Sequence, residues 1–299
     1  SAIGSLLALV FAIPLAIPLT EAMVAAYPTI RAHLPTILTA VAVMLVTTEP
    51  GVKRRIGASI SLVGSGLLGL ATLDLSLAAP LGDGSALTPL FAGLFGAPVL
   101  VEALGGDGVP RQEEPIVQAT RPFVLVVALV GTFAGAVVGF IPGVSSAIAA
   151  TGALVVIPSR GPRAFLVATS GVNTANAIFA LFALLALGSP RTGVLVAMDQ
   201  AALPLNLPLL LVAVAIAAGV AFVLVLKLGD RYLSLVGRID QRVVSGSVMA
   251  GLAGLSLLFA GVVGVGIFVV ATVVGLVPGR FGCRRATLMG VLLVPLAIG

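Results

Sequence analysis

The chain has 299 residues, of which 59% are hydrophobic and only 9% are charged. Its mean hydropathy of +1.23 lies far above the range of soluble globular proteins, which excludes a large soluble domain. At about 20 residues per crossing, the chain has room for about 9–10 transmembrane or re-entrant helices. We therefore expect an all-α polytopic membrane protein.

The net charge of +5 comes from arginines that lie beside apolar runs. Such clusters report membrane topology and contact with lipid headgroups, so we expect membrane lipid as a partner and no nucleic acid. By the positive-inside rule, the basic loops at 53–55, 227–242 and 280–285 face the cytoplasm. Cys283 is the single cysteine, which excludes an internal disulfide and a cysteine-based metal site.

The apolar runs divide the chain into two parts around its most polar stretch, at 105–121. This stretch is predicted to link a partial N-terminal helical half at 1–104 to a C-terminal transmembrane half at 122–299. The two short runs between the last two basic loops predict a hairpin. The runs outside the interrupted segments lie at 2–26, 35–48, 56–80, 87–104, 193–202, 205–228, 244–263 and 264–277, with a final run to 299.

Two consecutive apolar segments of the C-terminal half are interrupted by polar or helix-breaking residues. The first break is at Pro142-Gly143, and the second is around Gly171-Val172-Asn173. In hydrocarbon an unpaired backbone group costs several kcal/mol, so irregular backbone persists only where protein or a wet cavity covers it. The pair therefore predicts two broken helices around a solute site near the bilayer midplane.

The first break has the chemistry of an anion site. Pro142 removes a backbone donor, and Gly143 permits backbone angles that other residues avoid. A fresh helix that starts at Val144 has unpaired N–H groups in its first turn, beside the hydroxyls of Ser145 and Ser146. These groups and the helix dipole favour an anionic ligand.

The second break carries amide and hydroxyl side chains. Asn173 and Asn176 are three residues apart on one helical face, with Ser170 and Thr174 beside them. Freed carbonyls and amide oxygens suit Na⁺, and amide N–H groups suit a carboxylate. The alternative is that the first break is a kink relieved by its neighbours and that these side chains form interhelical hydrogen bonds.

Other residues give weaker signals. Asp74 lies in the second half of the run at 56–80 and is a candidate for carrying a coupling proton, since ionisable groups inside membranes tend to be functional. The glycine-rich stretches at 64–69 and 251–266 indicate close helix packing rather than ligand contact. Arg191 either ends a helix or serves function. No HExxH, GxSxG or paired catalytic carboxylates occur, so we expect no enzyme, no catalytic residues and no metal site.

Four segments resemble the large membrane subunit of tripartite tricarboxylate transporters, TctA. The segment GAVVGFIPGVSSAIAATG at 135–152 resembles its Pro-Gly motif, and SGVNTANAIFALFALLALGSPRTGVLVAM at 170–198 resembles the Asn-rich segment that follows. LTPLFAGLFGAPVLVEAL at 87–104 is similar to the stretch before the second repeat. The closing RFGCRRATLMGVLLVP at 280–295 looks like the shorter archaeal-type branch.

The resemblance implies a multi-pass permease of the prokaryotic plasma membrane. It implies two related halves in an inverted repeat, each with a Pro-Gly break, that move di- or tricarboxylates or other organic anions with an ion gradient. Na⁺ or H⁺ is then the coupling ion, and no other cofactor is expected. By position, the resemblance puts the solute region at Pro142, Gly143, Val144 and Ser145, with Ser170, Asn173, Thr174 and Asn176.

The resemblance also bears on completeness and partners. It is weak before residue 85, where no counterpart of IPGVSS occurs, so we expect the family's N-terminal portion to be missing and the first half to be partial. Partners implied are a small membrane subunit and an extracytoplasmic binding protein, or a complementary N-terminal chain of a split permease, besides a homo-oligomer. A non-transporting scaffold subunit remains the alternative to transport.

Overall fold

The computed structural model describes residues 2–80, 82–105, 120–157, 162–236 and 240–298. Nearly all of them are helical. The helices are α1 (Ala2–Ala32), α2 (Leu34–Thr47), α3 (Val52–Thr72), α4 (Leu87–Phe91), α5 (Ala97–Leu104), α6 (Arg121–Phe140), α7 (Ser146–Val156), α8 (Pro162–Leu187), α9 (Gly193–Gln200), α10 (Leu207–Val236), α11 (Gln241–Gly275), α12 (Val277–Phe281) and α13 (Gly290–Ile298). A π-helical turn, Ala92–Gly96, joins α4 to α5, and a 3-10 turn, Arg285–Met289, precedes α13.

Seven helical stretches of the described residues are long and apolar enough to cross a membrane. Three shorter apolar helices accompany them: Leu34–Thr47, Ser146–Val156 and Arg285–Ile298. The sequence prediction of an all-α polytopic membrane protein is therefore confirmed. The described β-structure is one small antiparallel hairpin, in which β1 (Leu77–Ala79) pairs with β2 (Gly82–Gly84).

The chain forms two compact units. The first comprises residues 1–33 and 113–233, and the second comprises 34–112 and 234–299. This grouping differs from the sequence-based division at 105–121, because α1 packs with helices of the C-terminal part. Residues 106–119 of that predicted linker lie outside the described residues, and the functional division into two halves stays a prediction.

Close approach of α6 to α8 organises the first unit. Gly131 faces Ala168 and Gly139 faces Phe179, so the two helices run parallel. A Cβ added at Gly131 would lie only 2.7 Å from the carbonyl oxygen of Ala168, which shows why glycine is needed there. Helix α1 covers the same pair, and its small Ala12 packs into the cluster around Phe179.

The second unit contains a helical hairpin within α11. Gly261 has φ 64° and ψ −161°, which are non-helical angles inside that helix. Before this point Leu252 approaches Gly96, and after it Gly275 approaches Leu94, so the chain reverses along α4 and α5. The hairpin predicted between the two basic loops is therefore present.

The β-hairpin lies against this turn. The Ser85 N–H donates to the Phe259 carbonyl at 3.1 Å, and the Ala78 carbonyl oxygen lies directly beside Gly261. The glycine-rich stretch at 251–266 was expected to serve close helix packing, and at Gly261 that expectation is wrong. The packing expectation for 64–69 is confirmed, since Gly69 approaches the backbone of Val291.

Candidate solute-binding site

The structure confirms the helix break at Pro142-Gly143. Helix α6 ends at Phe140 and α7 begins at Ser146. Between them Gly143 adopts φ 80°, a left-handed conformation that favours glycine. The connecting residues are half-buried. They form the tip of a second helical hairpin, which is made by α6 and α7 and belongs to the first unit.

The helix that follows this tip is short. Helix α7 has 11 residues and is about 16 Å long, which is too short for a hydrocarbon core of about 30 Å. Phe140, at the tip, packs against Phe179 with ring centroids 6.3 Å apart. Because α8 continues from Phe179 to Leu187, it extends about 12 Å beyond the tip.

The start of α7 presents unpaired donors. The Ser145 hydroxyl accepts a long hydrogen bond from the Ile148 N–H at 3.4 Å, as an N-cap does. The N–H groups of Ser146 and Ala147 meet no acceptor among the described residues. With the helix dipole, these donors make the tip suited to a carboxylate or another anion. The role assigned to Pro142, Gly143, Val144, Ser145 and Ser146 itself stays a prediction.

The second predicted break, around Gly171-Val172-Asn173, is wrong. Helix α8 is continuous from Pro162 to Leu187. Its one proline is at the first position, where a missing N–H costs nothing. Gly171 serves packing instead, because a Cβ there would lie 3.3 Å from the carbonyl oxygen of Ala128 on α6.

The amides of α8 lie on the side that neighbours α7. Val172 packs with Ala149 and Ala150 of α7, and at 100° per residue Asn173 and Asn176 lie on the adjoining face. Asn173 is exposed and Asn176 is half-buried. These amides therefore flank the hairpin, although no hydrogen bond joins them to its tip within the described residues.

Thr169 shares this face and was not singled out from the sequence. Its hydroxyl oxygen is buried and has no hydrogen-bond partner among the described residues. The sequence signal that could have identified Thr169 is its position one helical turn before Asn173. Together these three residues form a polar stripe beside α7.

Ser170 and Thr174 lie about a third of a turn away from that stripe. The Ser170 hydroxyl donates to the Leu166 carbonyl at 2.5 Å, within its own helix. Thr174 lines an apolar groove of about 260 Å³ with Leu9 of α1 and Phe222 of α10. The structure thus separates these two predicted site residues from Asn173 and Asn176.

Asp74 is not inside a membrane helix. Helix α3 ends at Thr72, and Asp74 is exposed in the turn that follows. The run at 56–80 was expected to continue as one span, but its last residues belong to the β-hairpin, whose proline and glycines favour a turn. The proposed proton-carrying role therefore loses the burial on which it was based, and it stays a prediction.

Two further observations concern Arg191 and the side chains that could bind a metal ion. The Arg191 Nη2 donates to the Tyr27 hydroxyl at 2.8 Å, so Arg191 ties the loop after α8 to α1. Among the described residues, no group of three His, Cys, Asp or Glu side chains is placed to hold a metal ion.

Comparison with known proteins identifies the family. A model of the tripartite tricarboxylate transporter TctA family matches residues 1–290, so the match includes the region before residue 85. An uncharacterized protein of Methanocaldococcus jannaschii is 25% identical over 185 residues, which are 60% of this chain and 44% of that protein. This chain thus spans less than half of that relative's length, and no solved structure matches it. The chain belongs to the tripartite tricarboxylate transporter TctA family.

Proposed function

We propose that the protein is a multi-pass permease of the prokaryotic plasma membrane that transports organic anions, of the di- and tricarboxylate class, with a Na⁺ or H⁺ gradient. Family membership supports the assignment to transport, and the family's description as tripartite supports partners. These are a small membrane subunit and an extracytoplasmic binding protein, or a complementary chain. A homo-oligomer is compatible with this assembly.

The observation that carries the proposal is the tip of the α6–α7 hairpin. Irregular backbone at membrane depth is tolerated where it lines a cavity or is covered by protein, and transporters use such broken helices to hold charged solutes. The donors of Ser146 and Ala147 supply positive dipole without a fixed charge. An anion held in this way can also be released.

Uptake into proteoliposomes tests this proposal. Radiolabelled succinate and citrate would be supplied with an imposed Na⁺ gradient, an imposed pH gradient or neither. Uptake that depends on one gradient supports transport and identifies the coupling ion. Absence of uptake in all three conditions, with correctly inserted protein, would favour the scaffold alternative.

A matched pair of alanine variants tests the tip. Gly143→Ala strains a position with φ 80°, at about 1–2 kcal/mol, and should lower uptake at least tenfold. Gly152→Ala lies in α7 with no atom within 4 Å of the added methyl group, so its uptake should stay at the wild-type rate. Equal rates in both variants would argue against a solute site at the tip.

A further inference from the structure

A cleft of about 480 Å³ lies in the second unit between the start of α3 and the end of α12. Its lining includes the basic residues Lys53, Arg54 and Arg280. The helix Val52–Thr72, long and apolar enough to cross a membrane, begins at this cleft, and the arm of the α11 hairpin that follows Gly261 ends at it through α12. The cleft therefore lies at the boundary between membrane and water, on the side that the positive-inside rule assigns to the cytoplasm.

The basic residues of the loops at 53–55 and 280–285 differ in their hydrogen-bond and ion-pair partners. The three outside the cleft lining are engaged: Arg55 Nε donates to the Glu49 carbonyl at 3.0 Å, Arg284 pairs with the Glu49 carboxylate, and Arg285 pairs with Glu102. Lys53, Arg54 and Arg280 have no hydrogen-bond or ion-pair partner among the described residues. The unpaired positive charge of the two loops is thus concentrated at the cleft.

An apolar stripe leads away from the cleft along α3. Val52, Ile56, Ile60, Val63 and Leu67 are each 46–73% exposed, and their spacing places them on one side of the helix. The opposite side of α3 is buried, for example where Gly57 meets Phe281. The stripe is about 22 Å long, which exceeds the depth of one leaflet of a bilayer core of about 30 Å.

We propose that this cleft binds the phosphate group of an anionic phospholipid, with an acyl chain lying along the exposed stripe of α3. Arginine and lysine are the residues that recognise phosphate, and basic pockets between membrane helices on the cytoplasmic side bind lipid headgroups. A free phosphate ion would use the three cations but gain nothing from the stripe. The combination of both features favours the lipid.

Native mass spectrometry of delipidated protein in detergent measures this binding. Titration with dioleoyl phosphatidylglycerol, which is anionic, and with dioleoyl phosphatidylcholine, which is not, should show binding of one lipid. Phosphatidylglycerol should bind at least tenfold tighter than phosphatidylcholine. The triple variant Lys53→Ala, Arg54→Ala, Arg280→Ala should lose that preference. The matched triple variant Arg31→Ala, Lys227→Ala, Arg242→Ala removes the same charge from exposed positions outside the cleft and should keep it.

Two further arms separate the sources of phosphate. Inorganic phosphate or glycerol phosphate, at concentrations matched to the lipid, should leave the bound phosphatidylglycerol in place. Displacement by either would overturn the lipid assignment. Equal loss of preference in both triple variants, or retention in both, would overturn the cleft as the site. The single variant Arg280→Gln, with an intermediate loss of preference, provides a milder test if the triple variant misfolds.

Discussion

Gly261 should be required for the hairpin of α11, and a single methyl group tests this. Its angles, φ 64° and ψ −161°, belong to a region that is essentially restricted to glycine and costs other residues about 1–3 kcal/mol. A Cβ there also collides with the carbonyl oxygen of Ala78, which pushes the β-hairpin away. Loss of the hydrogen bond from Ser85 to Phe259 adds about 1 kcal/mol.

The expected loss for Gly261→Ala is therefore about 2–4 kcal/mol. At roughly 2–4 °C per kcal/mol for a chain of this size, the unfolding midpoint should fall by roughly 4–16 °C. The assay heats detergent-purified protein in steps and follows the monodisperse fraction by size-exclusion chromatography.

Gly266→Ala is the control within the same helix, because nothing lies within 4 Å of a Cβ at that position. Its midpoint should be unchanged or raised, since alanine favours a helix over glycine by up to about 1 kcal/mol. Equal midpoints for the two variants would refute the reasoning that Gly261 holds a turn.

One further substitution, at Asn173, and one alkylation, at Cys283, test other parts of the structure. Asn173→Ala should abolish carboxylate uptake while leaving thermal stability unchanged, because its side chain is exposed on α8 beside α7; uptake at the wild-type rate would remove Asn173 from the site. Burial, and next the charge of Glu49, raise the pKa of the Cys283 thiol above its ordinary value against the lowering effect of the Ser61 hydrogen bond. The reactive thiolate is therefore scarcer at pH 8 than for a free cysteine, and alkylation by iodoacetamide should be slow in folded protein and fast after denaturation. Rapid labelling of the folded protein would contradict the burial of Cys283.

The helix break at Pro142-Gly143 could be predicted because it is encoded locally. Pro142 cannot donate a backbone hydrogen bond, and Gly143 accepts a left-handed conformation. These two properties break a helix in most surroundings, so the sequence located the turn within a few residues. The unpaired donors at the start of α7 follow from the same local rule.

The second predicted break failed because polar content was treated as a sign of irregular backbone. Asn173, Thr174 and Asn176 are tolerated in a continuous α8, since an intact helix satisfies its own backbone groups and leaves the side chains to the surroundings. Gly171 is also compatible with a helix when a neighbouring helix needs close approach. The decisive contact, with Ala128 on α6, joins residues far apart in the sequence.

The sequence did not identify Gly261 as the turn, because a tertiary contact distinguishes it from the neighbouring glycines. Several glycines lie in the same stretch, and those at Gly251, Gly254 and Gly266 have open space around them. Only Gly261 meets the β-hairpin, and that contact is tertiary. The sequence therefore indicated two short runs with a hairpin between them but not the residue that turns the chain.

The hairpin of α6 and α7 and the hairpin within α11 have a similar form, although different residues make their turns. The first unit turns at a proline and a glycine, whereas the second turns at a lone glycine supported by the backbone of a β-hairpin. In both cases a longer helical arm precedes the turn and a shorter arm follows it, and the turn glycine has a positive φ. What the units share is thus a backbone geometry rather than a side-chain motif. The second unit does contain a Pro-Gly pair, Pro50-Gly51 with φ 86° at Gly51, but this pair lies in the loop between α2 and α3 and takes no part in the turn at Gly261.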